Sequence, residues 1–334
     1  VPRPAPRFHD FIGHKAVVDL LCRQLAGAMT RQEPFPHSLI TGPSGVGKTK
    51  LARALAAEFG TRVVQAMGYD NRKELARKLC LLNKGDFLLL DECHRLGPLE
   101  QELLTEAIDQ QSIPQLAPGD SQETTGGDRV SLQPWTLILA TDQPGHLLAS
   151  LCKRMDIEVP LHLYPLRDMK EIVETLATNM NLLLSPQAAR LVAEVSAGLP
   201  RQAKHYLRNL RLFFADSESR QLGVKDVHDF LEASGVDSSG LGPLERRYLN
   251  ELRQCGTASL ETLALLVGVD TVYLKRRVEA NLVRRGLVQI LPTGRRLTPL
   301  GQIWTQGPEA HHQDEPNSVE VVDDDEAQCR PAAD

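Results

Sequence analysis

Gly42, Gly47, Lys48 and Thr49 stand in GPSGVGKT (residues 42–49) at the spacing G-x-x-x-x-G-K-[ST]. Glycines at those places let the backbone curl until successive N–H groups point inward, which suits phosphate oxygens. A helix starting at the loop's end adds its partial positive charge. Lys48 has the reach to meet β- and γ-phosphates, and the Thr49 hydroxyl suits Mg²⁺. A second constellation lies downstream, where the apolar run 87–90 ends in Asp91-Glu92. Asp91 would support the hydration shell of Mg²⁺, and Glu92 would orient and polarise an attacking water. The chemistry expected is binding and hydrolysis of a nucleoside triphosphate. Cys93 and His94 follow at once, but no other close-spaced Cys/His pair completes a metal site by sequence spacing.

These groups must be held by a strand before the loop (Ser38-Leu39-Ile40-Thr41) and a helix after it through Leu51, Ala52, Ala54 and Leu55. Helical periodicity covers 14–30, a second strand is expected at 62–65, and a helix carries Leu75, Ala76 and Leu79. The runs at 87–90 and 136–140 are continuously apolar, as central parallel strands covered on both faces must be. Strands alternating with helices predict an α/β fold with a parallel sheet and helices on both faces, spanning 1–165. From about residue 166 the pattern turns helical, at 167–180, 185–197, 200–214 and 224–234, giving an all-α domain over 166–236. The glycine- and serine-rich stretch DSSGLGP opens a third domain, 237–306, with helical patterns at 243–254, 258–266 and 271–285. A hairpin turning at Pro292-Thr293-Gly294 completes a winged helix.

The chain has 334 residues and a net charge of −5, which hides an uneven distribution. Residues 308–334 hold nine Asp/Glu and one Arg, so the remainder is net basic. Ten Lys/Arg against five Asp/Glu fall within 240–306, a composition that hints at nucleic acid as a partner. The acidic stretch 307–334, poor in apolar groups, is expected to be a disordered tail. Six scattered cysteines without a C-x-x-C pair fit a reducing cytoplasm. No apolar run approaches the ~18 residues a membrane span needs, and the opening VPRPAPRFHD lacks the apolar segment of a signal peptide.

The order GPSGVGKT, LLLDECHRL (88–96), TLILATDQPG (136–145) and AGLPR (197–201) resembles AAA+ ATPases, and within them the RuvB-type motors of Holliday-junction branch migration. The resemblance spans roughly 3–306 and includes Phe11-Ile12-Gly13. It implies that Gly45, Lys48, Thr49 and Lys50 hold ATP and its Mg²⁺, and that Tyr164 packs beside the adenine. Arg154 matches the arginine finger that enters a neighbouring subunit's site, and Arg201 the lid arginine that senses the γ-phosphate. Asp109 and Gln110 match positions facing a neighbour's nucleotide. Asp142 falls at the first sensor position, where a neutral Thr or Asn is usual; its carboxylate would repel the γ-phosphate unless a cation or hydrogen-bond donor compensates. Arg295, with Arg296 beside it, matches one of two wing arginines that contact DNA phosphates, while Ile290 replaces the other.

The implied partners are double-stranded DNA at a four-way junction, five further copies in a homo-hexamer, and a RuvA-like junction-binding protein. In the family the last docks on an apolar hairpin tip; here Ile113, Leu116 and Val130 are the large aliphatics in or beside that segment. Two functions remain open on sequence: a translocating motor, or an AAA+ switch or loader of clamp-loader or initiator type, which Asp142, Ile290 and the acidic tail would suit.

Overall fold

A computed structural model describes residues 7–114, 129–215 and 218–306. It divides into two compact units, one ending at Gly240 and the other beginning at Leu241.

In the first unit, helix α1 (Lys15–Arg31) leads to strand β1 (Ser38–Thr41), the phosphate-binding loop and helix α2 (Lys48–Phe59). Then come β2 (Val63–Met67), α3 (Arg72–Cys80), β3 (Phe87–Asp91), α4 (Pro98–Gln110), β4 (Ser112–Pro114), β5 (Arg129–Ser131), β6 (Thr136–Thr141) and β7 (Ile157–Pro160). Five of these strands form a parallel sheet in the order β2-β3-β6-β1-β7. The alternation of side chains along a strand explains the double cover. Ile40, Phe87, Leu89 and Ile138 pack with Leu51, Ala54 and Leu55 of α2 on one face. Leu39, Leu88, Leu90, Leu137 and Leu139 pack with α3 and α4 on the other. The four apolar residues of β3 are at most 1% exposed. Each large side chain so buried stabilises the sheet by about 1.5–3 kcal/mol.

The sheet order decides the site. β6 lies between β1 and β3, with Thr141 level with Thr41 and Ala140 level with Asp91. The residue after β6 therefore emerges between the phosphate-binding loop and the acidic pair, at the carboxyl edge where parallel sheets bind ligands.

Four helices follow, Leu166–Thr178, Pro186–Val195, Pro200–Phe213 and Val224–Ala233. Each buries an amphipathic stripe, for example Ala203, Tyr206, Leu207 and Leu210, and they share one core with α2. The β4–β5 hairpin closes at its base through Arg129, which pairs with Glu106 at 2.6 Å and donates to the Ser112 hydroxyl. Ile113 is 1% exposed and Val130 packs on the same core, so these two aliphatics anchor the hairpin instead of presenting a docking tip. Leu116 lies outside the described residues, as does the expected acidic tail.

In the second unit, helices Pro243–Cys255 and Leu260–Val267 precede a helical run over 271–284, whose middle, Leu274–Glu279, is wound as a π-helix. Strands Val288–Leu291 and Gly294–Leu297 make the wing, and Thr257–Ala258 adds a third, edge strand. A last helix, Pro299–Gln306, follows. Among the described residues no helix is long and apolar enough to cross a membrane.

Candidate active site

The loop between β1 and α2 depends on backbone that side chains rarely adopt: Gly42, Gly45 and Gly47 have φ of 139°, 92° and 109°. Lys48, 7% exposed, donates from Nζ to the carbonyls of Gly42 (2.8 Å) and Pro43 (3.2 Å). Burial lowers its pKa, opposed by the nearby carboxylates of Asp142, Glu92 and Asp91. Thr49 Oγ1 donates to Asp91 Oδ2 at 2.7 Å, so the alcohol and the carboxylate already share one point in space. Two hard oxygen groups in that relation suit Mg²⁺.

Glu92 sits at φ 54°, left-handed and unusual for a non-glycine residue. Its carbonyl is held against Gly68, where a Cβ would lie 2.0 Å from the Glu92 oxygen. Gly68 also donates its N–H to Asp91 O at 2.9 Å. Residue 68 thus braces the acidic pair, a role no local motif announces. Asp142 stands beside this pair as the sheet order requires, with Oδ1 3.6 Å from His94 Nδ1.

Arg201 reaches the loop from the start of its helix, donating from Nη1 to Ser44 Oγ at 2.8 Å and from its backbone N–H to Gly45 O at 3.3 Å. A Cβ on Gly45 would fall 2.8 Å from Arg201 Cβ, so loop and helix fit closely. Tyr164 is 7% exposed. Its hydroxyl donates to Val46 O at 3.1 Å, and its ring meets His14 edge-on with centroids 4.6 Å apart. Burial, with Asp168 nearby, raises its pKa. Lys50 turns its ammonium away from the loop, to Asp10 O at 2.7 Å and over the Phe11 ring, so only its backbone is available for phosphate. Burial lowers the pKa of this ammonium too.

Of these groups Gly45, Gly47, Lys48, Thr49, Lys50, Asp91, Glu92, Tyr164 and Arg201 line a cleft of about 390 Å³, within the range of small-molecule sites, while Gly42 and Asp142 are not among its lining residues. Phe11, Ile12, Tyr164, Ile172 and Leu176 form its apolar end, while Lys48, Thr49, Asp91, Glu92 and Arg201 form the polar end. Ile172, Leu176, Asn179 and Lys204 were not singled out by sequence; the first three share a helix face at i, i+4 and i+7, a signal that reads equally as core.

Arg154 does not line this cleft. It follows the short helix Ala149–Cys152 and forks onto Asp109 through Nε and Nη2, with Nη1 donating to Ser150 O at 2.5 Å. The guanidinium holds the Asp109 carboxyl below its usual range, and Asp109 in turn raises Arg154. Gln110 beside it is exposed.

The second unit presents Lys275, Arg276, Arg277, Arg284 and Arg296 as exposed cations. Arg295, expected to touch DNA, points inward instead. It makes two 3.3 Å bonds to Glu279, a carboxylate 2% exposed, and is itself 17% exposed at the side chain. Pairing with a buried carboxylate occupies it, and of the adjacent pair Arg296 is the one on the surface. Ile290 is 53% exposed on the wing, apolar at the position where the family resemblance places a second arginine.

A parallel sheet with this strand order, a P-loop, an acidic strand end and a helical lid delivering an arginine to the loop define a P-loop ATPase of the AAA+ kind, here followed by a winged helix. Residues 3–161 match the Holliday junction DNA helicase RuvB P-loop domain, and residues 238–305 the RuvB C-terminal winged helix domain. Relatives described as Holliday junction branch migration complex subunit RuvB include those of Kosmotoga olearia (30% identical, 87% of this chain and 86% of the relative covered) and Thermotoga maritima (31%, 86% and 87%). The solved Thermotoga maritima RuvB Holliday junction branch migration motor superposes with a TM-score of 0.76 at 29% identity, covering 90% of this chain and 97% of that one. The chain belongs to the RuvB family.

Proposed function

We propose that this protein is an ATP-driven motor that moves four-way DNA junctions, with hydrolysis at the interfaces of a homo-hexameric ring. The observation that carries the reading is that Arg154 lies outside the cleft, paired with Asp109, while Lys48, Thr49, Asp91, Glu92, Tyr164 and Arg201 line it. A finger held outside its own site serves a neighbour's, which makes turnover depend on assembly.

Within the cleft, Phe11, Ile12 and Tyr164 take the base, and the loop N–H groups and Lys48 take the phosphates. Thr49, with Asp91 behind it, would hold Mg²⁺, which when bound would supply positive charge against the phosphates. Glu92 orients the water, and Arg201 carries the state of the γ-phosphate to the lid. On the winged helix, Arg296 with Lys275, Arg276 and Arg277 supplies a sequence-independent contact to duplex phosphates. A RuvA-like protein would present the junction; the inward-facing Ile113 and Val130 leave its docking to other parts of the hairpin.

Mass photometry with ATP, Mg²⁺ and linear duplex tests the assembly: six-membered species on DNA support the motor. Monomers, or open five-membered assemblies under every nucleotide condition, favour a loader-type ATPase, the reading that Asp142 and Ile290 would suit.

A further inference from the structure

Asp142 presents an electrostatic problem: a carboxylate beside the space reserved for a γ-phosphate. The structure places an imidazole against it. His94 Nδ1 lies 3.6 Å from Asp142 Oδ1 and 3.6 Å from Glu92 Oε2, and 3.1 Å from the Thr141 hydroxyl. One donor atom from each of Glu92, His94 and Asp142 falls within 4.8 Å of the others. The ring is 12% exposed and cannot swing freely. Gln143 fixes its far side, with Nε2 3.4 Å from His94 Nε2 and also 3.4 Å from Asp142 Oδ1. The Gln143 backbone N–H donates to the Thr141 hydroxyl at 3.0 Å, so the loop after β6 is tied around the imidazole. This arrangement follows from topology, since β6 is inserted between β1 and β3 and brings residue 142 beside the turn that carries residue 94.

We propose that His94 is a positioning residue whose Nδ1 edge, hydrogen-bonded to the Thr141 hydroxyl, lies between the Glu92 and Asp142 carboxylates, turning Asp142 from a repulsive group into one arm of an electrostatic carboxylate–imidazole–carboxylate bridge. The bridge draws the Asp142 charge sideways, away from the phosphate, and gives Glu92 a second point of attachment beside its constrained backbone. The inference deepens the ATPase reading and rests on it, because the γ-phosphate is the group against which Asp142 must be discharged. A bare carboxylate here would weaken ATP selectively, since ADP lacks the phosphate that meets it.

The test is a double-mutant cycle read by nucleotide affinity. Fluorescent ATPγS and ADP are titrated, with Mg²⁺, into the full chain and into His94→Leu, Asp142→Asn, the combined variant, and His94→Asn. His94→Leu is expected to weaken ATPγS roughly tenfold, the coupling typical of contacting charged groups, with ADP affinity unchanged as evidence of an intact fold. Asp142→Asn in the same chain restores ATPγS binding, because the unbridged charge is gone. His94→Asn, which keeps an N–H near the Nδ1 position, retains most of the affinity. Equal loss for both nucleotides, no loss in His94→Leu, or no recovery in the combined variant each overturns the bridge. So does stoichiometric Mn²⁺ binding by the nucleotide-free protein that His94→Leu and Asp142→Asn both abolish, which would make the three groups a cation site. A full chain that binds both nucleotides without turnover contradicts the motor, while the affinity cycle still decides the bridge.

Discussion

Glu92 depends on a neighbour that has no functional group. Its carbonyl packs so closely on Gly68 that any side chain at 68 must displace the strand end bearing Asp91 and Glu92. Gly68→Ala is therefore expected to lower kcat by about tenfold or more, as small misplacements of catalytic groups do. Nucleotide affinity should change little, because the loop N–H groups and Lys48 follow another strand, β1. Steady-state kinetics with a parallel binding titration checks this; an unchanged kcat would mean that Glu92 is placed by something else. Arg201 and Tyr164 were singled out only through the family resemblance, whereas the loop motif and the acidic pair were legible because each sits in a local pattern of fixed spacing. Gly68 was not, since its role arises from contact with a carbonyl 24 residues away. His94 was legible only as half of a metal pair that lacked a partner; its real neighbour, Asp142, lies 48 residues on and is delivered by strand order.

Among the elements, the wing departs most from what the family resemblance implied. Strand Gly294–Leu297 presents Arg295 and Arg296 to opposite faces, as consecutive strand residues must, and the inner one meets Glu279. Removing Arg295 strands a carboxylate that is 2% exposed, so Arg295→Ala should destabilise the winged helix by about 3–5 kcal/mol. Arg296→Ala should leave stability within about 0.5 kcal/mol and reduce the slope of log K against log salt for duplex binding by about one phosphate contact. Denaturant melts of the chain and salt-dependent DNA titrations separate the two. A large loss of DNA affinity from Arg295→Ala without loss of stability would restore the sequence expectation for that residue. Long amphipathic helices such as Leu166–Thr178 were readable from their period, and strands such as Phe87–Asp91 from an unbroken apolar run. Strand Ile157–Pro160, the edge strand Thr257–Ala258 and the closing helix Pro299–Gln306 were not. The first two are too short to show a period, and Pro160 argues against a strand on local grounds.

On the scale of the whole molecule, the chain carries a nucleotide cleft, an arginine outside it paired with Asp109, and a basic winged helix. On the proposed reading such a chain should hydrolyse ATP poorly alone, because the charge that develops on the transferred phosphoryl group would wait for a neighbour's Arg154. Releasing Arg154 from Asp109 is a small cost, since solvent screens an exposed ion pair. Steady-state ATP hydrolysis with and without a synthetic four-way junction tests this most directly, with Lys48→Ala and Arg154→Ala as controls. Junction-stimulated turnover is expected, falling by roughly 10³-fold or more without Arg154 and abolished without Lys48. Mixing Arg154→Ala with Lys48→Ala subunits should restore part of the rate, because each supplies what the other lacks across an interface. Turnover indifferent to the junction, or untouched by Arg154→Ala, would contradict an assembled motor and leave a nucleotide switch.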